Sequence, residues 1–287
     1  MSALLRIGVF DSGFGGLTVL RALLPQMPAA EFLYVGDTAR LPYGSKSQAT
    51  IARYAVESAQ FLVAQGAAYL VIACNTASAL ALDAIRDAVT VPVLGVIETG
   101  AASAAAISKS RDILVLATDA TVQSHAYAQA CAAHGLRALE KSCPLLVPLI
   151  EEGWTEHPIT DEVLRIYLEE AMQAAQELGA TPDTVLLGCT HYPLLRPLLE
   201  RALPASMQIL DSAETTAACV RHDLEACNLL PQESLSSLHA ALGEDETPSS
   251  ASRCRFFATD SIDKFQRLGS RFLGHSMQAV ELMDLGG

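Results

Sequence analysis

Several features that would decide a class at a glance are missing from this chain, and each shortage removes one reading. No run of about 18 consecutive apolar residues occurs, so no segment reads as a transmembrane helix and no membrane partner is expected. The opening "MSALLRIGVF" has no basic region, long apolar core or cleavage signal, so no secretory leader is expected. Basic residues are scarce, 19 Lys and Arg against 32 Asp and Glu, for a formal net charge of −13. That argues against nucleic acid as a partner, although a locally positive site can sit inside an acidic protein. The seven cysteines form no CxxC pair, which fits a reducing cytoplasm better than a disulfide framework. Lysine occurs only at 46, 109, 141 and 264, never at a convincing strand end within a phosphate motif. Pyridoxal phosphate, which enzymes hold through a lysine, therefore has no evident seat.

What is present suits one large α/β domain or two ordinary ones: 287 residues, 51% hydrophobic. Short apolar runs alternate with helical patterns, as in parallel βαβ units. Strands are expected at 6–10, 31–36, 69–73, 91–96, 112–117, 184–188 and 207–211, nearly all apolar throughout, as strands covered on both faces must be. Helices are expected at about 47–65 and over "TDEVLRIYLEEAMQAAQELG", with Thr160 capping the second and Gly179 ending it. Residues 233–254 read as a surface loop, followed by a last strand in "RFFATD" and a helix in "SIDKFQRLGSRFLG".

An internal echo runs through the chain. "YLVIACNTAS" and "TVLLGCTHYP" each carry an apolar run into a cysteine beside Asn, Thr or His. Glu98 follows Cys74, and Glu214 follows Cys189, at nearly equal spacing; "RIGVFDSG" is matched by "RDILVLATDAT". Three pairs in one order favour duplication, with two similar lobes facing each other and a cysteine of each at the cleft. Ligands of open α/β sheets bind at the carboxyl ends of strands. The polar motifs sit there: Asp11–Ser12, Asp37, Cys74–Asn75–Thr76, Thr118, Cys189–Thr190–His191 and Asp211–Ser212.

"DSGFGG" lacks the GK[ST] of a phosphate loop and has Thr18 where a third glycine would fall, but its turn can offer backbone amides to a carboxylate. Asp11, at the end of a buried strand, is costly unless employed. In "PYG", Tyr43 offers a hydroxyl and Gly44 a close backbone approach. Either cysteine alone reads more readily as core than as catalyst. The shared setting changes that, because a helix N-terminus lowers a thiol pKa. Cys131, Cys143, Cys219, Cys227 and Cys254 lack it. A metal reading of "CTH" fails for want of a second compact ligand pair, so no metal is expected; His191 has a simpler use as proton relay to Cys189. Glu151 reads as a solvated loop residue and cannot be separated from Glu152 on composition.

Two similar thiols from two similar lobes suit a nearly symmetric reaction, the inversion of a stereocentre. One base removes the α-proton from one face and a conjugate acid returns one to the other. The motifs "IGVFDSGFGGLTVL", "YVGDTARLPYGSKS", "ACNTASA", "ATDATVQSHAY", "CPLLVPLIEEG", "GCTHYPLL" and "DSAETTA" together resemble bacterial glutamate racemases, of the aspartate/glutamate racemase superfamily. The resemblance implies a pseudo-symmetric α/β fold of two similar lobes with mostly parallel sheets, residues 1–97 with 212–287 and residues 98–211, and the active site between them. It implies cofactor-independent interconversion of L- and D-glutamate for peptidoglycan and the cell wall by a cytoplasmic isomerase, as a homodimer. Cys74 and Cys189 would be the acid/base thiols, the first working on the D and the second on the L enantiomer. Asp11 would assist Cys74; His191 and Glu151 would serve Cys189. Ser12, Tyr43, Gly44, Asn75, Thr76, Thr118 and Thr190 would hold substrate, with Asp11 and His191. A racemase of aspartate or a related amino acid is the nearest alternative, and a non-catalytic two-lobed amino-acid-binding protein the alternative from another class.

Overall fold

The computed structural model describes residues 4–227, 229–230, 253–277 and 279–285. The loop expected at 233–254 lies outside these residues except for its end, where Cys254 already belongs to a strand.

Strands β1 Arg6–Asp11, β2 Glu31–Gly36, β3 Tyr69–Ile72 and β4 Val93–Gly95 come first, then β5 Asp112–Ala117, β6 Arg137–Ser142, β7 Thr184–Gly188 and β8 Gln208–Asp211, and last β9 Cys254–Ala258 and β10 Val280–Leu282. They form a six-stranded sheet in the order β10-β9-β2-β1-β3-β4 and a four-stranded sheet in the order β6-β5-β7-β8. Every ladder is parallel. Without β9 and β10, the first sheet has the same order as the second, strand for strand. The echo in the sequence is therefore an echo in topology, and two similar α/β lobes result.

The central strands read as continuous apolar runs because both faces are covered; β3, β5 and β7 are buried at every residue. A single core cluster runs through both lobes, with Val9 and Val71 from one sheet and Val115 and Leu186 from the other. Helices Leu17–Gln26, Ser212–Ala226 and Val96–Ile107 pack in sequence between the sheets. There the hydroxyls of Thr99 and Thr216 meet at 3.0 Å. A second cluster covers the outer face of the first sheet, where Phe10, Val35 and Ile72 meet Ile51 and Ala55 of helix Gln48–Ala64. At about 1.5–3 kcal/mol per large apolar side chain buried, the shared cluster ties the lobes into one structure.

Some expectations need correction. The long helix is Pro158–Glu177, and its cap is His157, whose Nδ1 accepts from the Ile159 amide at 3.1 Å. Proline fixes φ and lacks an N–H, so it starts the helix ahead of Thr160. Thr160 is fully buried and its hydroxyl has no partner among the described residues. The run 91–96 yields only three strand residues, because Val96 turns its amide to Ser78 Oγ at 3.3 Å and begins a helix. Strands β6 and β10 escape the apolar criterion: they lie at sheet edges and are largely half-buried or exposed.

Candidate active site

In each sheet the strand that runs into a cysteine lies beside the central one, β3 beside β1 and β7 beside β5. Register brings Phe10 level with Ile72 and Ala117 level with Gly188. Just beyond, the chain releases Asp11–Ser12 next to Cys74 in one lobe and Thr118 next to Cys189 in the other. Both cysteines, each 5% exposed, line one cavity of about 480 Å³. Ser12, Tyr43, Gly44, Asn75, Thr76, Thr118, Glu151, Thr190 and His191 line it too. Asp11 stands behind this lining, 1% exposed, its Oδ2 accepting from the Gly13 amide at 2.9 Å.

Cys74 caps helix Asn75–Leu80, its sulfur accepting from the Ala77 amide at 3.4 Å and lying 3.4 Å from Ser12 Oγ. The helix terminus was expected to lower this thiol's pKa, but burial wins. Loss of water, and then the charge of Asp11, push the thiol up to about 12 against the pull of the Ser12 hydroxyl and the Ala77 amide. Burial also raises the Asp11 carboxyl, opposed by the Gly16 amide and the charge of His191.

Cys189 has other company. Its sulfur lies 3.9 Å from His191 Nδ1, and His191 Nε2 lies 3.1 Å from Glu151 Oε1. Burial disfavours the imidazolium, yet the bonds and charges of Cys189 and Glu151 outweigh it and raise His191 to about 10. Burial would raise Glu151 as well, but His191 holds it below its ordinary value. At neutral pH this is an imidazolium–carboxylate pair reaching the thiol. Glu151, not Glu152, makes it, a choice that composition left open. Phe272 meets the imidazole edge-on, with centroids 4.9 Å apart. Gly15 allows the first lobe to come this close: a Cβ there would fall 2.2 Å from Thr190 Oγ1 and 2.5 Å from His191 Nδ1. Thr18 Oγ1 donates to the Thr190 carbonyl at 3.1 Å across the same seam.

The rest of the lining is hydroxyl and amide. Thr76 Oγ1 lies 3.3 Å from Thr118 Oγ1 and 3.4 Å from Thr121 Oγ1, which lie 3.0 Å from each other. Asn75 Oδ1 accepts from the Tyr127 hydroxyl at 2.6 Å, leaving Nδ2 without a partner among the described residues. Gly44 faces Thr118, 3.9 Å from where its Cβ would be. Tyr43 lines the cavity while its hydroxyl donates to Asp37 Oδ2 at 2.5 Å. Asp37, fully buried, also accepts from Arg40 and Thr259, and so anchors the loop that carries Gly44. Asp211 is spent on the Ala213 amide at 2.7 Å, and neither it nor Ser212 lines the cavity. Tyr127, Thr121 and Phe272 carried no assignment in the sequence, and Lys264 stood out there only as one of four lysines without a phosphate motif. Only Thr121, one helical turn after Thr118, carried a signal in its spacing.

Residues 7–220 match the Asp/Glu/Hydantoin racemase family. The chain is 52% identical to the glutamate racemase of Koribacter versatilis, with 98% of each covered. It is similar to the crystal structure of glutamate racemase from Francisella tularensis in complex with D-glutamate, with 32% identity, 98% of each chain covered and a TM-score of 0.83. It is similar also to the Thermus thermophilus glutamate racemase in complex with β-chloro-D-alanine, with 40% identity, the same coverage and a TM-score of 0.80. A duplicated parallel fold with two thiols in one cleft, matched along almost its whole length, belongs to the Asp/Glu/Hydantoin racemase family.

Proposed function

We propose that this isomerase interconverts L- and D-glutamate by a cofactor-independent exchange of protons between two thiols. Relatives 52% and 41% identical to it are glutamate racemases, and one 32% identical is seen with D-glutamate. The observation that carries the mechanism is that each lobe delivers one cysteine to the same cavity, and each cysteine has its own acid–base partner.

In one direction Cys189 takes the α-proton of L-glutamate while its anion is balanced by the His191 imidazolium and Glu151. Cys74, held as a thiol by burial and Asp11, returns a proton to the opposite face. The reverse direction exchanges the roles, and D-glutamate meets Cys74 as base. Charge developing on the α-carboxylate is met by preorganised donors: the unpartnered Asn75 Nδ2 and the hydroxyls of Thr76 and Thr118. Ser12, Gly44 and Thr190 hold the remaining polar groups of substrate, and Tyr43 acts by fixing the loop through Asp37. The lobes divide at 97/98 and 211/212. The product D-glutamate serves peptidoglycan in the cytoplasm, and the protein works as a homodimer. Among the described residues no helix is long and apolar enough to cross a membrane.

Pure protein without added cofactor should abolish the circular dichroism of either glutamate enantiomer, leaving a racemate, and should turn over aspartate far more slowly. Binding without loss of optical activity would instead favour a two-lobed binding protein.

A further inference from the structure

A substrate with two carboxylates and one ammonium approaches a protein of net charge −13. The cavity wall adds Asp119, Glu151 and Glu152, with Asp11 behind it. His191 offsets part of this, but it is 8% exposed and already paired with Glu151. Among the described residues lining the cavity, one other cation stands: Lys264.

Lys264 rides on helix Ile262–Leu273, whose Phe272 packs on His191 and whose Phe265 packs on Phe14. The position is therefore held from within the site. Its side chain is exposed, forms no ion pair among the described residues, and lies with Nζ 5.7 Å from the centre of the Phe14 ring. It also borders an open hollow lined by Asp260, Asp263 and Arg267, so it stands where the cleft meets the surface. The field of Lys264 reaches into the site, where it helps to hold Glu151 below its ordinary pKa.

We infer that Lys264 is the capture cation of the cleft, drawing the carboxylates of substrate past an acidic entrance and acting in binding, not in proton transfer. The inference rests on the glutamate reading above. A single exposed charge at a cleft mouth raises substrate capture in a manner that salt screens, over a Debye length of about 10 Å at 0.1 M. A general acid or base would affect kcat at every ionic strength.

The test is steady-state kinetics with both enantiomers, at ionic strengths from about 20 to 300 mM, on the full-length wild type, Lys264→Gln, Lys264→Arg and, as a remote control, Lys109→Gln. Wild-type kcat/KM should fall as salt rises. Lys264→Gln should raise KM about five- to tenfold at low salt, hold kcat within about twofold and flatten the salt dependence. Lys264→Arg should restore both KM and slope, and Lys109→Gln should match wild type. Unchanged KM and salt slope in Lys264→Gln would overturn the inference. So would a lost kcat that arginine does not restore. Wild type inactive on glutamate would strike the proposed function instead, which separates the two failures.

Discussion

The two thiols occupy the same place in two halves of the same design, yet meet different chemistry. Each follows the strand beside the central one of its sheet, and each opens onto the same cavity. Around Cys74 lie Asp11, Ser12 and the amide end of a helix, with burial dominant and the thiol raised to about 12. Around Cys189 lie an imidazolium and a carboxylate in line. The repeat thus fixes where the sulfurs stand, while residues that differ between its copies or lie outside them fix how protons reach them. Glu151 illustrates this: it comes from the crossover between β6 and β7, and the corresponding crossover between β2 and β3 places no carboxylate in the cavity lining.

The severest way to break the comparison is to remove one thiol. Cys74→Ala and Cys189→Ala should each lower racemisation by about 10³-fold or more with the melting temperature little changed. Enantiomers have equal free energy, so kcat/KM must fall equally in both directions. What should differ is exchange without inversion: Cys74→Ala should wash α-hydrogen from L-glutamate only, and Cys189→Ala from D-glutamate only. Exchange of both enantiomers by either variant would mean the sulfurs are not assigned to opposite faces.

Removing the unlike partners sharpens the contrast. His191→Asn should cost about 10²–10³-fold in kcat, because it deletes a relay. Asp11→Asn should cost less, about tenfold, because the carboxylate acts on Cys74 by charge through the protein. Equal losses would make the two sides alike after all. A smaller effect appears in stability against pH. The folded His191 pKa, about 10, lies above its ordinary 6.5, so its contribution is complete below that value and is lost as pH rises toward 10. Glu151→Gln should flatten the fall in melting temperature between about pH 7 and 10; an unchanged fall would remove the pair as its cause.

The smallest expected effect concerns the helices of the two crossovers. Helix Gln48–Ala64 is capped by Ser47, which accepts from Thr50, whereas Thr160 in the other buries an unpartnered hydroxyl. Ser47→Ala should destabilise by about 1 kcal/mol. Thr160→Val should be neutral or stabilise by up to about 1 kcal/mol, and clear destabilisation in denaturant titration would contradict the assignment of an unpaired hydroxyl.

Strands at 31–36, 112–117 and 184–188 were legible to the residue because burial on both faces demands unbroken apolar runs. β6 and β10 were not, since edge strands tolerate charge, as in "RALEKS". In the site, residues at strand ends were legible because topology gathers such ends. Tyr127 and Phe272 were hidden because they reach Asn75 and His191 only through tertiary packing. The raised pKa of Cys74 is hidden for a related reason: a helix terminus shows in a sequence, and depth of burial does not.

The central claim is that protons are taken and returned by different groups on the two faces of Cα. Initial-rate turnover of each enantiomer in heavy water addresses it most directly. At early conversion the product should carry solvent deuterium at Cα while the remaining substrate keeps its protium, from either side. Substrate labelled as fast as product, or product that retains the original hydrogen, would contradict it.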